Sequence, residues 1–161
     1  MGASTKESIV RAFIQRVIEA KVTIDGNITG EIGSGWLVFL GVGKLDTGRE
    51  ISILTQKLLG LRLFSDSAGK FNLSVQDVGA SILVVSQFTL YADCSRGRRP
   101  GFAQAADPET AKSLYCEFIR ELRKSGVPVA EGLFGADMKV SLVNDGPVTI
   151  LLDSNDLQSA L

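Results

Sequence analysis

The stretch "KVTIDGNITGEI", Lys21 to Ile32, decides the fold class. Apolar and polar residues alternate on both sides of Asp25-Gly26, and an Asp-Gly pair between two such runs is a strong short-range hairpin signal. Upstream, "VRAFIQRV" (10–17) alternates in the same way and predicts a half-buried strand. Downstream, Gly33-Ser34-Gly35 makes a turn into "WLVFLGV" (36–42), a continuous apolar run of the kind buried on both faces of a sheet. The period then changes. Ile51, Leu54, Leu58 and Leu61 recur every three or four residues, predicting a helix over 47–61 with Asp46 or Thr47 as N-cap. "FSDSAGKFN" (64–72) reads as a turn region and 82–87 as another buried strand. Asp107-Pro108 opens a second helix to about Lys124, with Leu114, Phe118, Ile119 and Leu122 on one face and Gly126 ending it. "MKVSLVNDGPVTILLD" reads as two strands, 138–143 and 148–153, joined by a turn at 144–147. Hairpins followed by strands mixed with two amphipathic helices make an α+β domain. A dinucleotide-binding fold would alternate strand and helix and carry G-x-G-x-x-G, and this chain does neither.

The 161 residues fit one domain, over 10–154, with residues 1–9 as an N-terminal extension and 155–161 as a tail, both expected to fray. No apolar run reaches the length of a membrane span, and "MGASTKES" lacks a signal peptide's apolar region, so a soluble cytoplasmic protein is expected. Two cysteines, Cys94 and Cys116, are too few for a disulfide framework and are expected as free thiols. A net charge of −1 argues against a globally basic nucleic-acid surface, though not against a local basic patch. The chain has no histidine. That excludes Ser-His-Asp and Cys-His catalysis, the usual His-containing zinc sites and the His-x-Glu deaminase motif. Carboxylates, lysine, hydroxyls, backbone dipoles and the substrate itself remain as sources of catalysis.

Three stretches carry candidate chemistry. "SQFTL" (86–90) ends a buried strand, where Ser86, Gln87 and Thr89 either meet a ligand or simply hydrogen-bond the turn. Thr89 would be a nucleophile only with a base, and the local sequence names none. "NDGPVT" (144–149) is unusual because Pro147 cannot donate to a ladder; it is either a kinked turn or a rigid projection of backbone carbonyls. "SRGRRPGF" (95–102) sets Arg96, Arg98 and Arg99 among glycines, a loop suited to phosphate or to plain solvent exposure. Asp93, Asp137 and Asp153 are scattered, and no pair of carboxylates is supported for acid–base work.

These residues are specific enough to name a family. The chain resembles the D-aminoacyl-tRNA deacylases, which remove mischarged D-amino acids from tRNA, through "SQFTLYAD" (86–93) and "NDGPVT" (144–149). "AFIQRV" (12–17), "GRRPGF" (97–102) and the context of residues 134–154 extend the similarity over roughly 10–154. The resemblance implies a mostly antiparallel, barrel-like mixed sheet with two main helices, and a homodimer with its active site at the subunit interface. It implies that Ser86, Gln87, Phe88 and Thr89 form the floor, with N–H groups near Phe88 and Thr89 as oxyanion hole. Gly146 and Pro147, in the cis form, would enter from the partner subunit and exclude L-amino acids, with Arg16 and Asn144 in support. Arg96, Arg98 and Arg99 would contact tRNA phosphates, and the ribose 2′-hydroxyl would assist hydrolysis. D-aminoacyl-tRNA, and glycyl-tRNA mischarged on a non-cognate tRNA, would be cleaved to free amino acid and tRNA. No cofactor, metal, membrane or DNA partner is expected. Leu45 departs from the glycine the family pattern leads one to expect in that turn. Two other readings stay open: a related domain that hydrolyses L-aminoacyl esters, and a non-catalytic RNA-binding module.

Overall fold

A computed structural model describes residues 10–157. Its organising element is β1, Arg11–Ile24, a fourteen-residue strand that pairs along both edges. On one edge it meets β2 (Asn27–Ile32) and then β3 (Gly35–Gly41), both antiparallel. The expected hairpin turn joins β1 to β2. Asp25 and Gly26 have φ of 48° and 81°, the two positive values a type I′ turn requires.

The helix α1, Gly48–Gly60, follows β3. Thr47, rather than Asp46, is its N-cap, in a capping box. The Arg49 N–H donates to Thr47 Oγ1, while the Thr47 N–H donates to Glu50 Oε2 over 2.8 Å. The stretch read as a turn region is a small hairpin, β4 (Phe64–Ser65) with β5 (Phe71–Leu73), its connection held by Asp66. β6, Ser81–Ser86, then lies parallel to β3, so α1 and the small hairpin form the crossover. A short 3₁₀ helix, Phe88–Tyr91, and a loop lead to α2, Pro108–Lys124, capped by Asp107 and followed by Gly126 at φ 87°. β7, Val129–Glu131, is parallel to β6 and was missed by the sequence reading.

The last element corrects an expectation. Residues 139–153 are one strand, β8, and both halves pair with β1, so no turn folds 148–153 back on 138–143. Asn144 pairs opposite Val17 and Thr149 opposite Gln15, leaving residues 145–148 facing Arg16 alone. Four residues against one is an enlarged bulge of the special kind, which aims backbone out of the ladder.

Burial explains the apolar runs. Trp36, Val38 and Leu40 of β3, with Ile82 and Val84 of β6, face a core shared with both helices. Leu37, Leu83 and Val85 point the other way, into a second core with Val17, Ala20 and Val22. Successive side chains of a strand point to opposite faces, so central strands covered on both sides must be apolar throughout. In β1 the inward phase changes between Val17 and Ala20, where the register against β8 also shifts. The result is a mixed, nearly closed, barrel-like sheet with two helices on one face. Among the described residues no helix is long and apolar enough to cross a membrane. Cys94 and Cys116 are exposed free thiols.

Replacing Thr47 by Ala removes the reciprocal cap at an exposed position and should lower unfolding stability by about 1 kcal/mol. Urea denaturation measures it, and an unchanged midpoint would mean that the cap contributes nothing.

Candidate active site

Two separate features emerge at the motif positions. The first lies where β6 ends. The Gln87 N–H donates to the Leu40 carbonyl over 2.8 Å, extending the ladder one step before the chain turns into the 3₁₀ helix. Leu90 and Ala92 N–H groups donate back to the Gln87 and Thr89 carbonyls. Among the described residues neither the Phe88 nor the Thr89 N–H is engaged, as expected for the first turn of a helix. Two adjacent free N–H groups form a small positive site. The Gln87 amide donates to Thr89 Oγ1, so that oxygen is already accepting. No Lys, Asp or Glu among the described residues hydrogen-bonds the Thr89 hydroxyl. Thr89 is exposed and has no base to make it a nucleophile.

Ser86, Gln87 and Phe88 line a cleft of about 530 Å³, bounded by the start of α2 and by Phe134–Met138. Phe88 is exposed and packs edge-on against Phe102, ring centroids 5.0 Å apart. Asp93 and Gly101 exchange backbone hydrogen bonds of 2.8 and 2.9 Å, pinching off the loop that holds Arg96, Arg98 and Arg99. All three arginines are exposed. A second groove, about 460 Å³, runs past Ile18, Lys21 and Ser141–Val143 and contains no residue of 86–91 or 144–149.

The second feature is the β8 bulge. Gly146-Pro147 is cis, and Asp145, Gly146 and Pro147 are exposed. Asn144 staples the bulge shut: its Oδ1 accepts the Val148 N–H over 3.1 Å and its Nδ2 donates to Thr149 Oγ1 over 2.8 Å. Arg16, buried on the opposing strand, braces it. Its Nε donates to the Asp145 carbonyl over 3.1 Å and its Nη1 to the Leu63 carbonyl over 2.7 Å. The guanidinium lies 5.4 Å from the centre of the Phe71 ring. Gly146 has φ +131°, and an added Cβ would come within 2.9 Å of Val148 Cγ2 and 3.0 Å of Arg16 Nη2. Both backbone and space demand glycine here.

The motifs do not meet within one chain. None of residues 144–149 lines the cleft that Ser86–Phe88 line. Sequence reading missed the cleft wall at Phe134–Met138, and it also missed Arg11, which with Tyr91 holds the floor from behind. Asp93, Asp137 and Asp153 are each engaged locally, with Ser95, Lys139 and Arg11, and none pairs with another carboxylate.

Removing Arg16 frees two carbonyls from charge-assisted bonds in a buried setting. Arg16→Ala should cost about 2–4 kcal/mol in urea unfolding, and Arg16→Lys should recover only part of it, having no fork to reach both oxygens. A loss below about 0.5 kcal/mol would show that the brace is dispensable.

The chain is similar to known proteins over most of its length. A deacylase of Syntrophobacter fumaroxidans named D-aminoacyl-tRNA deacylase is 57% identical over 145 residues, covering 90% of this chain and 97% of the relative. One from Geobacter sulfurreducens with the same name is 54% identical over 151 residues, covering 94% and 99%. A solved structure described as a c-Myc DNA unwinding element binding protein superposes with a TM-score of 0.84 at 43% identity, covering 88% of this chain and 97% of its own. Another, described as a probable eukaryotic D-amino acid tRNA deacylase, has a TM-score of 0.78 at 17% identity over 90% and 99%, and bears on fold alone. The sequence model of the D-Tyr-tRNA(Tyr) deacylase family matches residues 13–153, both motifs included, and the chain therefore belongs to the D-aminoacyl-tRNA deacylases, a family of hydrolases.

Proposed function

We propose that the protein hydrolyses the ester joining a D-amino acid to the terminal ribose of tRNA. The observation that carries this reading is the free pair of N–H groups at Phe88 and Thr89, above a cleft floor with no nucleophile–base pair. Ester hydrolysis develops negative charge on the carbonyl oxygen, and preorganised backbone donors stabilise it without any side-chain acid. The substrate supplies the missing assistance, since the neighbouring ribose 2′-hydroxyl is held where it can orient water. Thr89 and Gln87 position the ester, and Thr89 does not become acylated.

In this reading the site is completed by a second subunit. β8 pairs only with β1 among the described residues, so its other edge is unpaired over fifteen residues, with Val143 and Leu151 exposed along it. Long free edges with apolar side chains are commonly covered by a partner. The bulge at Gly146-Pro147 then reaches the partner's Ser86–Thr89 floor, its carbonyls recognising the substrate's α-amino group. An L side chain is rejected by clash with this backbone, whereas a D side chain points to solvent and glycine has none to reject. Arg16 and Asn144 hold the bulge in register. The Arg96, Arg98 and Arg99 loop meets phosphates of the acceptor end, a contact that reads position and not sequence. The overall charge of −1 offers no general attraction to any nucleic acid, so in this reading the contact to tRNA depends on the local arginine loop.

The test is deacylation of matched D-tyrosyl- and L-tyrosyl-tRNA, with sedimentation of the protein alongside. The D-ester alone should be lost, and the particle should contain two chains. Thr89→Ala should retain activity within about tenfold, whereas losing a true nucleophile costs on the order of 10³ or more. Binding of tRNA with neither ester cleaved would sink the catalytic reading in favour of a binding module, and cleavage of the L-ester would point to an L-directed editing enzyme.

A further inference from the structure

Behind the cleft floor, β1, β3, β8, the 3₁₀ helix and the turn before α1 converge on one partly buried group of side chains. Arg11, at the start of β1, donates from Nη1 to the Leu90 carbonyl over 2.8 Å and stacks 5.0 Å from the centre of the Tyr91 ring. Its Nε is 3.4 Å from Asp153 Oδ2 at the end of β8. The buried Tyr91 hydroxyl donates to the Gly41 carbonyl, 3.2 Å away at the end of β3. Gly41 itself is wedged beneath the turn, where a Cβ would meet Tyr91 Cε2 at 3.0 Å and the Gln87 carbonyl at 3.1 Å. Asp46, in the turn before α1, is 6% exposed; Oδ2 accepts the Gly43 N–H, and Oδ1 has no hydrogen-bond partner among the described residues. Nothing in the proposed chemistry uses Asp46, Tyr91 or Arg11.

We propose that Asp46, Tyr91 and Arg11 are positioning residues for the Phe88–Tyr91 turn, and that the proton on Asp46 sets the placement of the Phe88 and Thr89 N–H groups. The proposal rests on the deacylase reading for its catalytic consequence and on the geometry alone for its structural one. With Asp46 neutral, the Tyr91 phenol stays on the Gly41 carbonyl and the turn keeps the form described. An ionised Asp46 offers the phenol a stronger acceptor. The ring moves with its hydroxyl, and Arg11, stacked on that ring and bonded to Leu90, carries the change into the turn.

The charges around Asp46 agree. Burial, helped by the negative charges of Glu50 on α1 and Asp153 on β8, pushes its carboxyl up to about 7 against the Gly43 and Val10 N–H groups, which favour the anion. Burial, then the charge of Asp46, Asp153 and the Asp46 carboxyl within reach of the hydroxyl, drive the Tyr91 phenol well above its ordinary range, while Arg11 opposes them, so Tyr91 stays protonated throughout. The sign for stability follows from linkage. Between the unfolded value of 3.8 and about 7 the folded chain holds a proton that the unfolded chain has lost. Stability therefore falls as pH rises through that window and is level above it.

The experiment follows the backbone ¹H–¹⁵N resonances of Thr89–Ala92 from pH 5.5 to 8.5. They should titrate together with a midpoint near 7, stay flat in Asp46→Asn, and lose the transition in Tyr91→Phe, which keeps the carboxyl but removes the phenol. On D-tyrosyl-tRNA, after subtraction of uncatalysed hydrolysis, the ratio of wild-type to Asp46→Asn kcat should be near one at pH 5.5. By pH 8.5 it should fall at least about threefold, with KM little changed. Titration of the substrate's own amino group cancels in that ratio. The Tm of the wild type relative to Asp46→Asn should fall between pH 4 and 7 and level off above. Resonances that do not titrate, or that titrate equally in Asp46→Asn, overturn the proposal whatever the activity. A wild type that cleaves no D-ester overturns the deacylase reading and leaves the resonance test standing.

Discussion

The pairing of β1 with β8 around Arg16 is the constraint on which the rest of the structure depends. Ladder hydrogen bonds fix both strands on either side, so four residues of β8 must be accommodated opposite one. An exposed bulge of that length would wander if its carbonyls faced only water. Arg16 is buried, and its planar fork holds the Asp145 and Leu63 carbonyls at once, tying β8 to the segment before the small hairpin. Asn144 closes the other side. A region with no regular partner is thereby tied to the sheet that carries it.

The same logic governs the cleft floor. On the proposed reading its chemistry belongs to main-chain groups, so its precision depends on where the backbone is held and not on which side chains project. The chain is held from below by the Leu40 carbonyl, from behind by Tyr91 and Arg11, and at its rim by the Phe88–Phe102 contact. A site of this kind needs no histidine, and the chain contains none.

What was legible in the sequence was local. Asp25-Gly26 announces its hairpin because two consecutive positive φ angles are needed there, and Asp107-Pro108 announces α2 because cap and N1 chemistry are both satisfied within four residues. The end of a buried strand at Ser86 was equally plain. "NDGPVT" was read as a break between two strands, either a kinked turn or a projection, because the ladder that makes 139–153 one strand is supplied by β1, about 130 residues away. β7 went unseen because three residues carry no period; it is a strand only through its pairing with β6. The Asp46–Tyr91–Arg11 cluster was hidden for the same reason, its members belonging to three elements far apart in the chain.

That long-range pairing also orders events during synthesis. Arg11 pairs with Asp153, so one whole edge of β1 has no partner until residues 139–153 have been made. The hairpin with β2 and the ladder with β3 can form early, since their partners follow within about thirty residues. The β8 ladder must close a loop of more than a hundred residues, the slow kind of contact. On the ribosome, therefore, a nascent sheet waits with its first strand half satisfied, and it closes only once β8 has emerged.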